Sequence, residues 1–296
     1  MNAEQTLRIA ILGCGNIANG YADDLVTYPQ LELVGVTDLD PARAAALCAR
    51  VGRGRVFSSL DQVLADPEVE AVVNLTIHHA HYETTRKCLE AGKHVFSEKP
   101  LAMTAREAWE LVSVAQRRGV RLAGAPMTFL GDAQQTALKL LREGRIGTVR
   151  MAYAEMNHGR IESWHPNPAP FFDVGPVFDV AVYPLMVLTA ALGPVTKATA
   201  IARVLQRDRK TTAGAAFQVG NPDWLVAVLD FAGGAAARVT TNFWVEGTNT
   251  KQEGIEFHGD AGSLQLASPF LFDAEVRVGG VKQAMEPVPR VGEGAK

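Results

Sequence analysis

The sequence predicts an α/β protein of two domains: a doubly wound parallel sheet first, then an α/β domain with a large, open, mostly antiparallel sheet. Up to about residue 126, short apolar runs alternate with helical stretches, which is typical of βαβ units. Beyond that point, runs of alternating apolar and polar residues are separated by short turns, which is typical of an antiparallel sheet with one solvated face. The length of 296 residues also favours two domains, which we place at residues 1–126 and 127–296.

The first domain is predicted from five apolar runs with helical stretches after them. Strands that alternate with helices in this way lie parallel and are joined by right-handed crossovers. The predicted strands are residues 7–12, 31–37, 71–77, 94–97 and 121–125, and the predicted helices lie near 16–28, 42–50, 81–91 and 104–118.

The second domain is predicted from longer β-like runs. A helix over residues 132–143 ends at Gly144, and a second helix over 177–192 ends at Gly193-Pro194, since glycine favours the residue after a helix end. The predicted strands are residues 149–156, 195–205, 224–231, 235–244, 252–258 and 263–267.

Composition and charge exclude several classes of partner. A formal net charge of -3 provides no basic field for nucleic acid and no polybasic membrane anchor. We find no signal peptide at the N-terminus and no apolar run long enough to cross a bilayer. Three cysteines, Cys14, Cys48 and Cys88, match no zinc pattern and favour a reducing, cytoplasmic compartment.

The first predicted strand runs into GCGNIA at residues 13–18, which has the form G-x-G-x-x-A. Gly13 permits the tight turn, Gly15 lets the backbone approach a pyrophosphate, and the small Ala18 lets helix and strand pack closely. The helix that follows presents N–H groups and a positive dipole end to the anion. Because a strand precedes the motif and a helix follows it, the sequence predicts a dinucleotide site, although a glycine turn alone occurs in many α/β proteins.

An acidic residue, Asp38, ends the second predicted strand. A carboxylate there would accept hydrogen bonds from the adenosine ribose and repel a 2′-phosphate, so NAD is favoured over NADP. Arg43 lies one helical turn further on and could still reach a phosphate. The alternative is that Asp38 only forms a turn at the strand end, with Asp40 as the helix cap.

With GCGNIA, Asp38 and the segment SEKPLA at residues 97–102 taken together, the sequence resembles the glucose–fructose oxidoreductase, inositol dehydrogenase and MocA family. The stretch NLTIHHAHYETTRKCLEAGKHVFSEKP, residues 74–100, looks like the family's fourth strand, helix, fifth strand and Glu-Lys-Pro motif in order. LLREGRIGTVR, residues 140–150, looks like the family's link into its second domain. The resemblance covers nearly the whole chain and implies a Rossmann domain followed by an open-faced α/β domain whose sheet often serves as an oligomer interface.

The same resemblance implies catalytic residues. The family's Glu-Lys-Pro lysine, here Lys99, lies beside the nicotinamide, and its bond to Pro100 is often cis. The family's Asp-x-x-x-His pair corresponds here to Asp179 and Tyr183, so tyrosine replaces histidine, as in the branch that resembles glucose–fructose oxidoreductases and dihydrodiol dehydrogenases. The i, i+4 spacing predicts that both side chains point to one face of a helix.

We expect Tyr183 to be the general acid/base, Lys99 its electrostatic partner and Asp179 a positioning group, with Lys99 and Tyr183 meeting at the nicotinamide. A tyrosine has an ordinary pKa of about 10, and a neighbouring ammonium lowers that pKa. The alternatives are a solvated strand-end lysine, an aspartate at a helix start and a tyrosine in the core.

The predicted cofactor-binding set combines the glycine loop, the acid and the segments that the resemblance places near the cofactor. Glu98 could instead belong to a structural ion pair. Adjacent residues on one turn, such as His78, His79 and His81, seldom converge on a single ion, so we predict no metal site. The set comprises Gly13, Gly15, Asn16, Ile17, Asp38, Thr76, His78, His81, Glu98 and Lys99.

A proline-rich loop, ESWHPNPAPFFD at residues 162–173, carries Trp164, His165 and Asn167, which could shape a substrate pocket or could belong to a rigid loop with a packed tryptophan. The function that fits best is an NAD(P)-dependent dehydrogenase or reductase acting on a sugar, cyclitol or related polyol, as a homodimer or homotetramer built through the second sheet. The alternative is a regulator or sensor of the same fold that binds NAD without turnover.

Overall fold

The computed structural model describes residues 6–245 and 253–292. The chain divides into two compact units, Met1–Ala125 and Pro126–Lys296, and each is described separately below.

The first unit is built on a six-stranded sheet in which every pair of neighbours is parallel. The strand order is β3-β2-β1-β4-β5-β6, so the chain starts in the middle and winds outward in both directions. This order confirms the predicted doubly wound sheet. The strands are β1 (Leu7–Leu12), β2 (Leu31–Thr37), β3 (Arg55–Val56), β4 (Ala71–Asn74), β5 (His94–Ser97) and β6 (Leu122–Gly124).

Helices cover both faces of this sheet. Along β1, Ile9 and Ile11 pack into one apolar cluster, whereas Ala10 and Leu12 pack into another on the opposite face. A strand buried on both faces needs a continuous apolar sequence, which is why LRIAIL contains few polar residues. The helices are α1 (Asn16–Leu25), α2 (Pro41–Val51), α3 (Leu60–Ala65), α4 (His78–Glu90) and α5 (Ala105–Arg118).

The strand predicted over residues 71–77 ends three residues early, and the helix predicted from residue 81 begins at His78. Asn74 causes the early end. Its side-chain oxygen accepts hydrogen bonds from the N–H of Thr76 at 3.2 Å and from the Thr76 hydroxyl at 2.7 Å. An asparagine that bonds to its own backbone two residues on turns the chain out of the sheet.

The second unit contains an eight-stranded sheet in the order β16-β15-β14-β13-β7-β12-β11-β8. Among the strands in the described part of this unit, only the pair β7 and β12 is parallel, so the predicted mostly antiparallel sheet is confirmed. Its strands are β7 (Val149–Asn157), β8 (Val195–Arg203), β11 (Trp224–Phe231), β12 (Ala236–Asn242), β13 (Glu253–Gly259), β14 (Gly262–Leu266), β15 (Val276–Gly280) and β16 (Glu286–Pro287). The predicted start of β13 at Gln252 lies outside the described residues.

One face of this sheet packs against α6 (Asp132–Arg142) and α8 (Val182–Leu192). The inward residues of the central strands and the apolar residues of these helices form the core of the unit, with Val187, Leu188, Ile255 and Phe257 fully buried. The other face is left to side chains such as Tyr153 and Val228, which are exposed.

The single helix predicted over residues 177–192 is wrong. The structure has α7 (Ala169–Asp179), kinked at Gly175 with φ 75°, and then the separate helix α8. Pro176 lacks an N–H to continue the helical ladder, and the Val180 backbone, at φ -124°, breaks the geometry between the two helices. Asp179 therefore ends one helix while Tyr183 lies in the first turn of the next, and they do not share one helical face.

The stretch Ala169–Leu192 is also long and apolar enough to cross a membrane by length and composition alone. The expectation that no segment of the chain would pass this test is therefore wrong. A core helix passes the same test, and here the stretch is divided into two helices whose residues Phe172 and Leu188 are buried inside the unit.

Several short elements are absent from the predictions. They are β3 and α3 in the first unit, and in the second unit β15, β16 and a hairpin of β9 (Asp208–Lys210) with β10 (Ala216–Gln218). Strands of two or three residues are too short to show a period of two, which is why alternation could not reveal most of them.

Candidate functional site

The glycine loop lies between β1 and α1. Gly13 has φ 85°, and a Cβ there would lie 2.6 Å from the carbonyl oxygen of Leu75, so only glycine fits. Gly15 is the N-cap of α1 and would have no atom within 4 Å of a Cβ. No side chain of the described residues caps this helix, so its first N–H groups, those of Asn16 and Ile17, are left to bind an anion.

Asp38 holds this loop. Its carboxylate accepts a hydrogen bond from the N–H of Cys14 at 2.7 Å and another from the N–H of Asp40 at 2.8 Å. Asp40 in turn caps α2 by accepting from the N–H of Ala42. The turn-forming role left open from the sequence is thus present, and it leaves further lone pairs on Asp38 for ribose hydroxyls.

Cys14, between the two glycines of the loop, carries a buried thiol. Burial, followed by the charge of Asp38, raises the pKa of this thiol to about 12. The thiol therefore stays protonated at neutral pH and adds no negative charge beside a pyrophosphate.

Asn74 organises the turn between β4 and α4. Its amide nitrogen donates to the hydroxyls of Thr84 at 2.7 Å and Thr85 at 3.0 Å, while its oxygen holds Thr76. Asn74 is fully buried. Asn74 therefore fixes the position of Thr76, a predicted cofactor residue, although no motif in the sequence pointed to Asn74.

His81 lies on α4 with 2% of its surface exposed. Its Nδ1 lies 2.8 Å from the carbonyl oxygen of Pro100, and its Nε2 lies 2.8 Å from the carbonyl oxygen of Thr76. The ring thus links the turn after β4 to the turn after β5. Both ring nitrogens are used by the protein itself, which gives His81 a positioning role for the two turns.

His78 and His79 lie in the first turn of α4, and their rings are 4.1 Å apart. His79 is exposed, whereas His78 is half-buried. His78 is thus placed at the end of β4, the edge where Thr76 and the glycine loop also lie.

Glu98, Lys99 and Pro100 follow β5 directly. The Lys99–Pro100 peptide bond is cis, as the resemblance implied. The Glu98 carboxylate accepts from the Tyr21 hydroxyl at 2.6 Å and from the N–H of Lys99 at 2.9 Å. Glu98 is thus held through hydrogen bonds by the Tyr21 hydroxyl of α1 and by the Lys99 backbone. Tyr21 was missed by the sequence analysis because a tyrosine on a helix gives no signal of its own.

The first unit fits a dinucleotide. The loop at residues 13–15 meets the carboxyl edge of the sheet beside β4, with the uncapped start of α1 above it and the Asp38 carboxylate at the end of β2. These are the donors and the acceptor that a pyrophosphate and a ribose diol require. In a doubly wound sheet this edge, where the strand order reverses, is where ligands bind.

In the second unit, Asp179 is buried at the end of α7, and Tyr183 is half-buried in α8. The ring of Tyr183 contacts that of Phe270 edge to face, with centroids 5.0 Å apart. Tyr183 also packs against the apolar cluster that contains Val180 and Phe243. The core role left open for this tyrosine therefore holds for part of its ring.

The residues predicted to shape a substrate pocket lie in the loop before α7. The Trp164 ring is about half exposed and meets the rings of His158, His165 and Phe171 at centroid distances of 5.4–6.0 Å. The Nδ1 of His165 accepts a hydrogen bond from the N–H of Asn167 at 3.1 Å. The loop thus presents a cluster of edge-to-face aromatic rings around the half-exposed Trp164, a surface suited to the apolar face of a sugar ring.

Comparison with known proteins agrees with this geometry. A family model described as an oxidoreductase family with an NAD-binding Rossmann fold matches residues 7–125, and the model of the same family's C-terminal domain matches residues 134–265.

Two curated relatives and one solved structure illustrate the likeness. The 1,5-anhydro-D-fructose reductase of Ensifer adhaerens is 28% identical over 261 residues, covering 87% of this chain and 74% of the relative. The trans-1,2-dihydrobenzene-1,2-diol dehydrogenase of Macaca fuscata fuscata is 26% identical over 290 residues, covering 96% and 82%. The structure of levoglucosan dehydrogenase in complex with NADH and levoglucosan has the same fold, with a TM-score of 0.86 at 21% identity, covering 96% of this chain and 80% of that one.

Proposed function

Since the chain belongs to the GFO/IDH/MocA family and is an NAD(P)-dependent oxidoreductase, we propose that it transfers hydride between the nicotinamide and a sugar, cyclitol or related polyol. The group that reacts is an alcohol in one direction and a carbonyl in the other. The observation that carries this proposal is the glycine loop tied to Asp38 through the N–H of Cys14, which prepares both the phosphate and the ribose contacts.

The substrate class is supported by the relatives and by the loop before α7. The curated relatives include enzymes named for an anhydro sugar and for a cyclic diol, which share a ring carrying oxygen substituents. The half-exposed Trp164 ring suits the apolar face of such a ring, while the perpendicular His165 ring and nearby amides suit its hydroxyls. In this assignment residues 1–126 bind the dinucleotide, and residues 127–296 bind the substrate and assemble the oligomer.

We assign proton transfer to the Tyr183 hydroxyl and stabilisation of the resulting phenolate to the Lys99 ammonium. When bound, the nicotinamide supplies or accepts the hydride. On reduction of a carbonyl, the Tyr183 hydroxyl gives its proton to the oxygen that becomes the alcohol, and the Lys99 ammonium stabilises the phenolate that remains. On oxidation the same groups act in reverse, and Asp179 orients Lys99 or a substrate hydroxyl.

We propose NAD as the preferred cofactor, with Gly13, Gly15, Asn16, Ile17, Asp38, Thr76 and His78 as its contacts, and Glu98 and Lys99 beside it. Asp38 carries negative charge where NADP would place a phosphate. Arg43, the nearby cation weighed from the sequence, lies 3.6 Å from the Asp40 carboxylate, so its charge is already partly balanced.

For the assembly, we propose a homodimer or homotetramer that pairs the outer faces of the second sheet, in the cytoplasm. The outer face carries exposed apolar residues, among them Met151, Ile201 and Val228, and the edge strand β8 is exposed along nearly its whole length. The three cysteines are free, which suits a reducing compartment. Light scattering on a size-exclusion column would reveal a monomer if this assembly is wrong.

The deciding experiment is a turnover screen. Levoglucosan, 1,5-anhydro-D-fructose, trans-1,2-dihydrobenzene-1,2-diol and a panel of aldoses and inositols are supplied with NAD(H) and, in parallel, NADP(H). We expect turnover with at least one compound and a higher kcat/KM for NAD. Tight NAD binding with no cofactor reduction or oxidation across the panel would reject the enzyme in favour of a sensor, and a preference for NADP would reject the role of Asp38.

A further inference from the structure

Arg209, in β9, has 4% of its surface exposed, and each nitrogen of its guanidinium has a partner. Nη1 donates to Glu162 at 2.7 Å, Nη2 pairs with Asp223, and Nε donates to the carbonyl oxygen of Gln206 at 3.2 Å. Glu162 lies in the short 3₁₀ turn Ile161–Ser163, directly before Trp164. One buried cation thus joins the aromatic loop to two other parts of the unit.

Aromatic rings enclose the same guanidinium. Its carbon lies 4.7 Å from the ring centre of Phe172 in α7 and 4.8 Å from that of Trp244, just after β12. Arg160 also lies over Trp244, at 4.1 Å. Cations over ring faces of this kind are attracted by the negative face of the ring, and the attraction grows when water is excluded.

One of the rings that Arg209 touches, Phe172, belongs to the apolar cluster that packs against Tyr183. Phe172 packs with Phe243 at 5.5 Å in an apolar cluster that also contains Val180, the residue after Asp179, and Tyr183. The loop that carries Trp164 and the junction that carries Asp179 therefore share one support.

Glu162 depends on Arg209. Its other carboxylate oxygen is buried and has no hydrogen-bond partner among the described residues. Asp223, in contrast, also accepts from the N–H of Leu205 at 2.7 Å, so Arg209 remains paired if Glu162 is lost. A carboxylate held mainly by one cation keeps its loop in place only while that cation is present.

We infer that Arg209 is a positioning residue for substrate: through Glu162 it fixes the Trp164 and His165 loop against the junction of α7 and α8. The inference rests on the proposed function, since it assigns that loop to the substrate. Arg209 thereby sets the substrate KM without touching substrate, cofactor or reacting atoms.

The test uses Glu162→Ala, with Asp260→Ala as the matched control. Both variants remove one carboxylate from an arginine pair of the second unit, because Asp260 pairs with Arg150 at 2.8 Å on the surface. Hydrogen–deuterium exchange over residues 158–168 reports the loop, and steady-state kinetics with the best compound of the screen report KM and kcat. Arg209→Lys is the second variant, because lysine keeps the positive charge but lacks the planar guanidinium that contacts all three partners.

In Glu162→Ala we expect faster exchange of the loop and a substrate KM raised about 10-fold or more, since small displacements of positioning groups cost on that scale. The KM for NAD and the kcat should stay near those of the wild type. In Arg209→Lys, loop exchange and substrate KM should lie between those of the wild type and of Glu162→Ala. Asp260→Ala should change neither exchange nor kinetics. Unchanged loop exchange, faster exchange with an unchanged substrate KM, or an equal loss in every kinetic constant would each overturn the inference. If the wild type turns over no compound, the proposed function fails. The exchange experiment still decides whether Arg209 stabilises the loop.

Discussion

The N–H of Cys14 donates a 2.7 Å hydrogen bond to the carboxylate of Asp38, and this contact ties the glycine loop after β1 to the end of β2. One acidic side chain therefore shapes the glycine loop and, in the proposed function, also presents oxygens to the ribose. The two tasks reinforce each other, because the charge that would select against a 2′-phosphate also holds the loop that would bind the pyrophosphate.

Asp38→Asn should weaken NAD binding and reduce the preference for NAD over NADP. The amide keeps the shape but loses the charge-assisted hydrogen bonds, so the KM for NAD should rise about 10-fold or more. The KM for NADP should rise less than the KM for NAD, because loosening of the loop affects both cofactors whereas loss of the carboxylate charge favours the 2′-phosphate of NADP. Asp40→Asn is the control, because asparagine caps a helix as well as aspartate does. Equal losses for both cofactors would contradict the assigned role.

Gly13→Ala should abolish tight cofactor binding. A Cβ would lie 2.6 Å from the Leu75 carbonyl oxygen at a φ of 85°, so the loop must move, at a cost of about 1–3 kcal/mol of folding stability for the strained backbone alone. Gly20→Ala, in α1, meets nothing within 4 Å and should raise stability by about 1 kcal/mol. Calorimetric titration with NAD and thermal unfolding of both variants check the pair, and normal NAD affinity in Gly13→Ala would be the contrary result.

Tyr183→Phe should lower kcat by about 100-fold or more while leaving NAD binding intact, since only the proton donor is lost. Lys99→Met should lower kcat as well, because the phenolate would lose its stabilising charge. Tyr28→Phe is the control, as that tyrosine lies between α1 and β2 with 55% of its surface exposed. Turnover of Tyr183→Phe at the wild-type rate would assign the proton to another group.

His81→Leu should weaken NAD binding although His81 does not face outward. The carbonyl oxygens of Thr76 and Pro100 would lose the ring nitrogens that lie 2.8 Å from them, and the loss of the N–H donor costs about 1–3 kcal/mol of stability. The turns after β4 and β5 would then be free to separate. Urea unfolding and NAD titration measure both effects, and His81→Gln, which restores one donor, should recover part of each. Unchanged NAD affinity in His81→Leu would reject the positioning role.

The free energy of unfolding should fall at alkaline pH, in part because of the Cys88 thiol. Burial raises the pKa of the Cys88 thiol from its ordinary 9.0 to about 12. Between these values the unfolded chain loses a proton that the folded protein keeps, so this contribution to stability is present below about pH 9 and falls as pH rises toward about 12. Cys88→Ala removes the titrating group. Urea unfolding of both proteins at neutral pH and at about pH 10.5 should show a smaller decline for the variant, and equal declines would contradict the assignment.

Sequence alone was sufficient for the parts of this protein that depend on neighbours along the chain. The parallel sheet followed from apolar runs alternating with helical periods, and β1, β2 and β5 have the predicted bounds. The glycine loop and Asp38 were predicted for the same reason, because a dinucleotide site needs particular residues at fixed spacing next to strand ends, whereas the Glu-Lys-Pro turn was expected from the resemblance to the family.

Tertiary structure decided what depends on residues far apart in sequence. Spacing could not show that both ring nitrogens of His81 lie against backbone carbonyl oxygens, or that Arg209 reaches Glu162, 47 residues away. A side chain's role is set by which donors, acceptors and rings the fold brings within a few ångströms of it, and local periodicity contains no record of those distances.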